Sequence, residues 1–529
     1  MPTSPSESFD RSGPYDLAVI GAGPAGLAAA VAAADLGLRC ALLDAGPRTG
    51  GQYYRHPAPG LGAARPDRLH HGWSVYTGWA DRLAAHREAG RVDHLAGHQV
   101  WALERVGGAA GASGVRQGEA GASGGEDDTA WAVHATLGPE AGDRATVRAA
   151  AVVLATGAYE RQLPFPGWTL PGVVTAGGAQ AMLKTGLVLP GKRVVVAGSG
   201  PLLLAAASSL VTAGARVPAV VEATNYLAYA RRPGVLAAVP AKLVEGAGHG
   251  AAMLRHGVRL RRRSAVVEAH GTDRVTGVTV ARLDADWTPV PGSERRIACD
   301  ALAVGHGLLP QIELATELGA GTRTTADGAV ALAVDAELRT TVPGLWAAGE
   351  TCGVGGADLA IAEGEMAAHA LAGVPVSTGL LRRRARLRAF ADLMAAAHRP
   401  GPGWPQWLRP DTDVCRCEEV PAAAIREAVD ELGAGDARTV KLLTRAGMGW
   451  CQGRMCGPAV ACLAAGAGSG PGSGPGSGPG SGPASAAGPG PGPASAPGPV
   501  EARADSRPLS CPVPLSQLAA GLPADAPRD

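Results

Sequence analysis

Residues 15–46 read "YDLAVIGAGPAGLAAAVAAADLGLRCALLDAG". The apolar run over 16–20 predicts a buried strand, the glycines a tight turn, residues 24–36 a helix, and residues 39–44 a second, parallel strand. Gly21, Gly23 and Gly26 form G-x-G-x-x-G, with Pro24 and Ala25 completing the turn. Gly21 allows the turn, Gly23 lets backbone approach a pyrophosphate, and Gly26 lets helix pack on strand; the helix N-terminus then faces the phosphates. Asp44, at the end of the second strand, can accept hydrogen bonds from ribose hydroxyls. Turn and acid together predict a dinucleotide site.

The same order recurs in "GKRVVVAGSGPLLLAAASSLVTAGARVPAVVEA", residues 191–223. Gly198 and Gly200 fill the first two glycine positions, Leu203 stands at the third, and Glu222 ends the following strand. Glu222 suits a ribose diol, whereas a side chain at Leu203 pushes the helix off its strand. Two readings stay open: a site for NAD(H) or another adenine nucleotide, and a purely structural turn. Two such units predict an α/β fold with two doubly wound, Rossmann-like dinucleotide-binding domains.

Three further stretches bear on the first cofactor. "AAVVLATGA" (150–158) ends a strand on Thr156 and Gly157, "VPGLWAAGE" (342–350) ends one on Gly349 and Glu350, and "TGGQYYR" (49–55) carries Gly51 and Gln52. All three resemble motifs of FAD-dependent oxidoreductases of the two-dinucleotide-binding-domain group. The resemblance implies FAD at the first turn, with Glu350 toward the flavin ribitol and phosphates, where Asp is commoner. Disulfide reductases of that group use C-x4-C after the first acid or C-x2-C in the second domain. Tyr53, Tyr54 and Arg55 stand in the first region, and C-x2-C is absent throughout.

The chain of 529 residues carries 48 Lys and Arg against 47 Asp and Glu, a balance that argues against a nucleic-acid role. Its first residues, "MPTSPSESFDRSGP", lack the basic start and apolar core of a signal peptide, so a reducing cytoplasm is expected. The charge-free window 194–215 is long enough for a membrane span, but its Gly-Pro turn favours strand-turn-helix, so no transmembrane segment is expected. Residues 107–128 are small and polar and read as a disordered insertion between strands "HQVWALERV" and "AWAVHATLG". Residues 468–483 repeat GSGP four times in a tract that cannot build a core. The basic stretch "LLRRRARLRAFADLMAAAH" reads as a solvated connecting helix, and "SRPLSCPVPLSQLAAGL" as either a docking segment or a frayed tail.

"DVCRCEEV" and "GWCQGRMCGP" carry Cys415, Cys417, Cys451 and Cys456 in the order C-x-C-x33-C-x4-C. The spacing admits zinc or a 2Fe–2S cluster. The one-residue gap is tighter than a zinc knuckle, and a two-iron rhomb accepts uneven spacing better. "PAAAIREAVDELGAGD" predicts a helix between the pairs, and "GPAVACLAA" another just after Cys456, its N-terminus toward a negative cluster. Cys40, Cys299, Cys352, Cys462 and Cys511 read as small apolar residues or incidental thiols, with Cys352 placed next to Glu350. His70 and His71 read as surface or packing residues.

The four-cysteine stretch resembles the bacterioferritin-associated-ferredoxin-like (BFD-like) 2Fe–2S domain, in the C-x4-C variant found fused to FAD-binding subunits. The order of FAD motifs, second nucleotide unit and this domain resembles the alpha (A) subunits of bacterial amino-acid dehydrogenases and oxidases, the family that includes the A chain of opine oxidase, D-hydroxyproline dehydrogenase alpha and the B chain of hydrogen cyanide synthase. The resemblance implies an electron-transfer subunit working with an FAD-dependent amine-oxidising beta subunit, together with a small 2Fe–2S ferredoxin-like subunit, in the cytoplasm and reaching the inner membrane only through partners. The alternative is a self-sufficient NADH-dependent flavin reductase. The expected division is 14–165 and 301–375 for the FAD domain, 166–300 for the second nucleotide domain, 376–412 for a connector, 413–463 for the BFD-like domain, 464–506 for a linker and 507–529 for a terminal segment. No catalytic residue is legible.

Overall fold

A computed structural model describes residues 14–106, 130–138, 142–466 and 509–519. The expected insertion at 107–128 and the GSGP tract lie outside the described residues.

The opening stretch folds as its pattern demands. Tyr15–Ile20, Pro24–Asp35 and Cys40–Asp44 form strand, helix and parallel strand, with Leu17 paired to Cys40 and Ile20 to Leu43. Both strands are buried on both faces, which is why they read as unbroken apolar runs rather than alternating ones. They belong to a seven-stranded sheet. Val92–Ala96 flanks Cys40–Asp44, and Asp143–Leu154 flanks Tyr15–Ile20. Strands Ala130–Leu137 and His98–Val106 extend the sheet antiparallel, as the alternation on either side of the insertion predicts. Late in the chain, Leu345–Ala347 returns to pair parallel with Val152–Leu154.

A second sheet runs Arg259–Arg262, Ala219–Glu222, Val194–Gly198, Ala301–Gly305, Val173–Thr175, all parallel. The sequence division at 300/301 therefore falls one strand early. Ala301–Gly305 pairs with Val194–Gly198 and belongs to the second domain, a distinction that an apolar run alone does not carry.

The cysteine module is three helices, Ala422–Asp430, Ala437–Thr444 and Gly457–Gly466, on a short hairpin holding Cys415. It shares one hydrophobic core with the second domain: Trp168, Val266 and Trp287 of that domain pack with Trp407, Val414 and Ile425. The Trp168 indole N–H donates to the Asp413 carbonyl at 2.7 Å, and that of Trp407 to the Trp287 carbonyl at 2.9 Å. The segment 509–519 docks rather than frays. Ser510 Oγ donates to the Trp101 carbonyl at 2.8 Å, and its own carbonyl accepts from Arg454. Among the described residues no helix is long and apolar enough to cross a membrane.

Candidate functional site

The FAD motifs, up to 330 residues apart in sequence, converge on the first glycine turn. A Cβ on Gly21 would meet the Ala155 carbonyl oxygen at 2.4 Å and Thr156 N at 3.4 Å. A Cβ on Gly51 would meet Gly23 Cα at 2.8 Å, one on Gly349 would meet Ala25 Cβ at 2.8 Å, and one on Gly26 the Gly21 carbonyl oxygen at 1.7 Å. These glycines make a cradle of bare backbone around the N-terminus of Pro24–Asp35, a shape that fits a pyrophosphate. Asp44 stands ready beside it, one oxygen accepting the Ala22 N–H at 2.5 Å and the other the Gly46 N–H at 2.6 Å. Burial raises its carboxyl above the ordinary range, against the pull of those two N–H groups. Thr156 Oγ1 donates to the Gln311 carbonyl at 2.7 Å, tying the Thr156–Gly157 strand end to the returning chain. The residues present therefore fit FAD.

Glu350 lies on a short turn, Gly349–Cys352, ahead of the helix Ala357–Leu371. Burial raises its carboxyl, opposed by the Gly356 N–H and Arg388. What fixes this turn is not legible in local sequence. Glu363, fully buried, accepts the Gly349 N–H at 3.1 Å and pairs with Arg384 at 3.1 Å and Arg388 at 2.7 Å. Both arginines come from the helix Thr378–Ala397, the supposed solvated connector. Their four-residue spacing places them on one face, the signal that could have pointed to a buried carboxylate.

The second turn differs. Gly198 keeps the role of Gly21: a Cβ there would meet the Gly305 carbonyl oxygen at 1.7 Å. Gly23, though, is extended (φ −71°, ψ −174°), whereas Gly200 has φ +112°. The helix starts at Leu202, and Leu203 is fully buried beneath it. Leu203 and Leu204 donate their N–H groups to the Gly200 and Pro201 carbonyls, both at 3.1 Å, a tighter winding than the Leu27-to-Gly23 bond of the first helix. Glu222 is fully buried and accepts the Gly200 N–H at 3.1 Å, the Thr224 N–H at 3.1 Å and hydroxyl protons from Thr224 at 3.0 Å and Tyr226 at 3.3 Å. Burial pushes its carboxyl up, but the His398 ring nearby and the hydrogen bonds from Thr224 and Gly200 outweigh it and hold the group below its ordinary range.

The four thiols come together as two neighbouring pairs. Cys415 lies within hydrogen-bonding reach of Cys456, and Cys417 of Cys451. The Gly447 N–H donates to Cys415 Sγ at 3.4 Å. The Cys456 contact and the N–H groups of Gly447, Glu418 and Cys417 bring the Cys415 thiol down to about 5 against its burial; Cys456 moves up. A Cβ on Gly449 would meet Cys417 Cβ at 2.2 Å, so only glycine lets that loop approach. Glu419, Arg445 and Gln452 all take left-handed backbone, a local strain that the surrounding packing holds in place. Among the described residues no three His, Cys, Asp or Glu side chains gather as they would around one metal ion. Two pairs of thiols suit two irons, each taking two thiolates. Gly457–Gly466 starts directly after Cys456, as expected. In the loop between Cys451 and Cys456, Arg454 binds Glu313 at 3.1 Å and the Ser510 carbonyl, tying that loop to the FAD-domain side.

His70 stacks on Trp73 at 4.8 Å and burial brings it down to about 3, the behaviour of a neutral packing residue. Cys352 is buried and its thiol is pushed up to about 12, so it is inert in this setting.

Residues 15–366 match the family described as Pyridine nucleotide-disulphide oxidoreductase. Residues 414–465 match the BFD-like [2Fe-2S] binding domain. Hydrogen cyanide synthase subunit HcnB of Pseudomonas protegens is 33% identical over 454 residues, which cover 83% of this chain and 89% of that protein. The A chain of opine oxidase from Agrobacterium tumefaciens is 34% identical over 469 residues, 86% of each chain. Among solved structures, L-proline dehydrogenase from P. horikoshii superposes with a TM-score of 0.56 at 19% identity, covering 85% of this chain and 73% of that one, a likeness of fold.

Proposed function

From a chain that belongs to the pyridine nucleotide-disulphide oxidoreductase family and carries a BFD-like 2Fe–2S domain, we infer an electron-transfer subunit of a multi-subunit amino- or imino-acid dehydrogenase or oxidase. The chain is an FAD-dependent oxidoreductase with a 2Fe–2S domain, related to subunits of multi-subunit oxidases. The finer reading rests on one observation: the four-thiol module shares a hydrophobic core with the flavoprotein body instead of hanging from it.

FAD supplies two-electron acceptance and the iron–sulfur centre one-electron transfer. The chain's own residues do the placing. The glycine cradle at Gly21, Gly23, Gly51 and Gly349 holds the FAD diphosphate, Asp44 the ribose, and Glu350 the ribitol side. Cys415, Cys417, Cys451 and Cys456 hold the cluster. Arg454 fixes the loop between two of those thiols against Glu313 and Ser510. The amine is oxidised on an FAD-dependent beta subunit, and a small 2Fe–2S subunit joins the assembly. Two observations favour the partner: no disulfide-reductase cysteine pair flanks the Gly51 loop, where Tyr53 and Tyr54 stand, and the relatives carry subunit names.

The test is anaerobic titration of the purified, FAD-loaded chain with a panel of amino and imino acids, alone and after co-expression with a candidate FAD-dependent amine-oxidising beta subunit. Flavin bleaching only in the complex is expected. Bleaching by an amino acid in the isolated chain overturns the division of labour.

A further inference from the structure

The description of the family implies a pyridine nucleotide at the second glycine turn, and the residues present there do not fit one. We propose that the imidazole of His398 holds the place of the adenosine ribose at this turn, so that the chain neither binds NAD(P)H productively nor draws electrons from it.

His398 caps the helix Thr378–Ala397 and is buried. Its Nδ1 lies 3.1 Å from Ser199 Oγ, inside the G-x-G, and 3.0 Å from Thr224 Oγ1. Its Nε2 lies 2.9 Å from Tyr229 OH, and its Nδ1 3.7 Å from the Glu222 carboxylate. A Cβ on Gly200 would sit 4.0 Å from the ring. The ring therefore occupies the angle between the glycine turn and the acid at the end of the next strand, where a dinucleotide sets its ribose. Glu222 has no free lone pair aimed outward: four donors from Gly200, Thr224 and Tyr226 already reach it. Among the described residues, the corresponding acid of the first site accepts two backbone N–H groups, from Ala22 and Gly46.

The phosphate half of the site is equally changed. A helix N-terminus binds anions through its free N–H groups, and the N–H of Leu203 is engaged by the Gly200 carbonyl. Beyond the turn lies a cavity of about 120 Å3, lined in part by Gly200, Leu308, Arg323, Arg388 and Met394. Its two guanidiniums are engaged as well. Arg323 donates to the Cys352 carbonyl at 2.5 Å, and Arg388 to the Gly353 carbonyl at 2.7 Å and to Glu363 at 2.7 Å.

The inference stands whichever partner supplies the electrons, so a failed partner experiment leaves it intact. Its test is isothermal titration of the FAD-loaded full chain with NAD+, NADH and NADPH, together with anaerobic absorbance at 450 nm. Expected are no saturable binding below about 1 mM and flavin that stays oxidised under NADH. A micromolar dissociation constant, or bleaching by NADH, overturns the proposal. His398→Gly removes the ring; affinity for NAD+ or ADP-ribose should rise at least about tenfold with flavin content unchanged. A folded, flavin-replete His398→Gly protein that gains nothing overturns the role of the ring. Should the variant fail to fold, the wild-type titration alone decides.

Discussion

At Gly26 a Cβ would land 1.7 Å from a backbone oxygen, while at the matching place in the second turn a whole leucine, Leu203, lies fully buried. Both turns keep the first glycine, because there the strand of the same sheet passes within contact: Ala155 beside Gly21, Gly305 beside Gly198. They part at the second and third positions. Gly23 is extended and its carbonyl accepts from Leu27, four residues on, whereas Gly200 has turned left-handed and its carbonyl and that of Pro201 accept from Leu203 and Leu204, three residues on. The lesson is that the first glycine answers to the sheet, the second to the ligand, and the third to how closely the helix packs on the turn. A fold can keep the one and release the others.

Transplanting the difference is the harshest way to break that comparison. Gly26→Leu places a side chain where the Gly21 carbonyl already stands; we expect flavin content per chain, read by absorbance after purification, to fall at least about tenfold. The buried carboxylate behind the FAD turn comes next. Glu363→Gln leaves Arg384 and Arg388 facing each other without their acid, and should lower stability in urea by about 4 kcal/mol while weakening FAD retention. The mirror change in the second turn, Leu203→Ala, empties a fully buried site and should cost about 3 kcal/mol, with flavin content unchanged. Loss of flavin in this variant would show that the two turns are not independent.

The smallest effect lies in pH. The folded carboxyl of Glu222 is held below its ordinary value of 4.5, so its contribution is present above that value and is lost as pH falls through the folded one. Glu222→Gln should therefore destabilise by about 1 kcal/mol at neutral pH, and the gap to wild type should close on acidification below pH 4.5. Asp44 is shifted the other way. Its ionised form is disfavoured by folding in the unliganded chain, so acidification through its folded pKa relieves a cost rather than adding one. A gap for Glu222→Gln that widens in acid would contradict the hydrogen-bonding account.

Much of this is legible in residue order. The G-x-G-x-x-G with Asp44, the strands on either side of the insertion and the helix after Cys456 follow from local pattern, and the late return at Gly349 and Glu350 from the resemblance to FAD-dependent oxidoreductases. Periodicity does not report which sheet a strand joins, so Ala301–Gly305 reads as part of the first domain although it pairs within the second. Nor does it report which face of a basic helix is buried. Residues 380–398 read as solvated because arginines usually are, yet Arg384 and Arg388 neutralise Glu363 and His398 enters the second turn. Tyr226 and Tyr229, which close around Glu222 and His398, sit on a short 3-10 segment with no pattern to announce it.

Trp287 and Trp407 lie parallel, 6.1 Å apart, in the core that the second domain shares with the cysteine module. Neither body can melt without stripping the other, so the two should unfold in a single calorimetric step. Iron loading would then raise the transition temperature of a sheet that touches no iron, and a thermogram would serve as an assay of how fully the cysteines are charged.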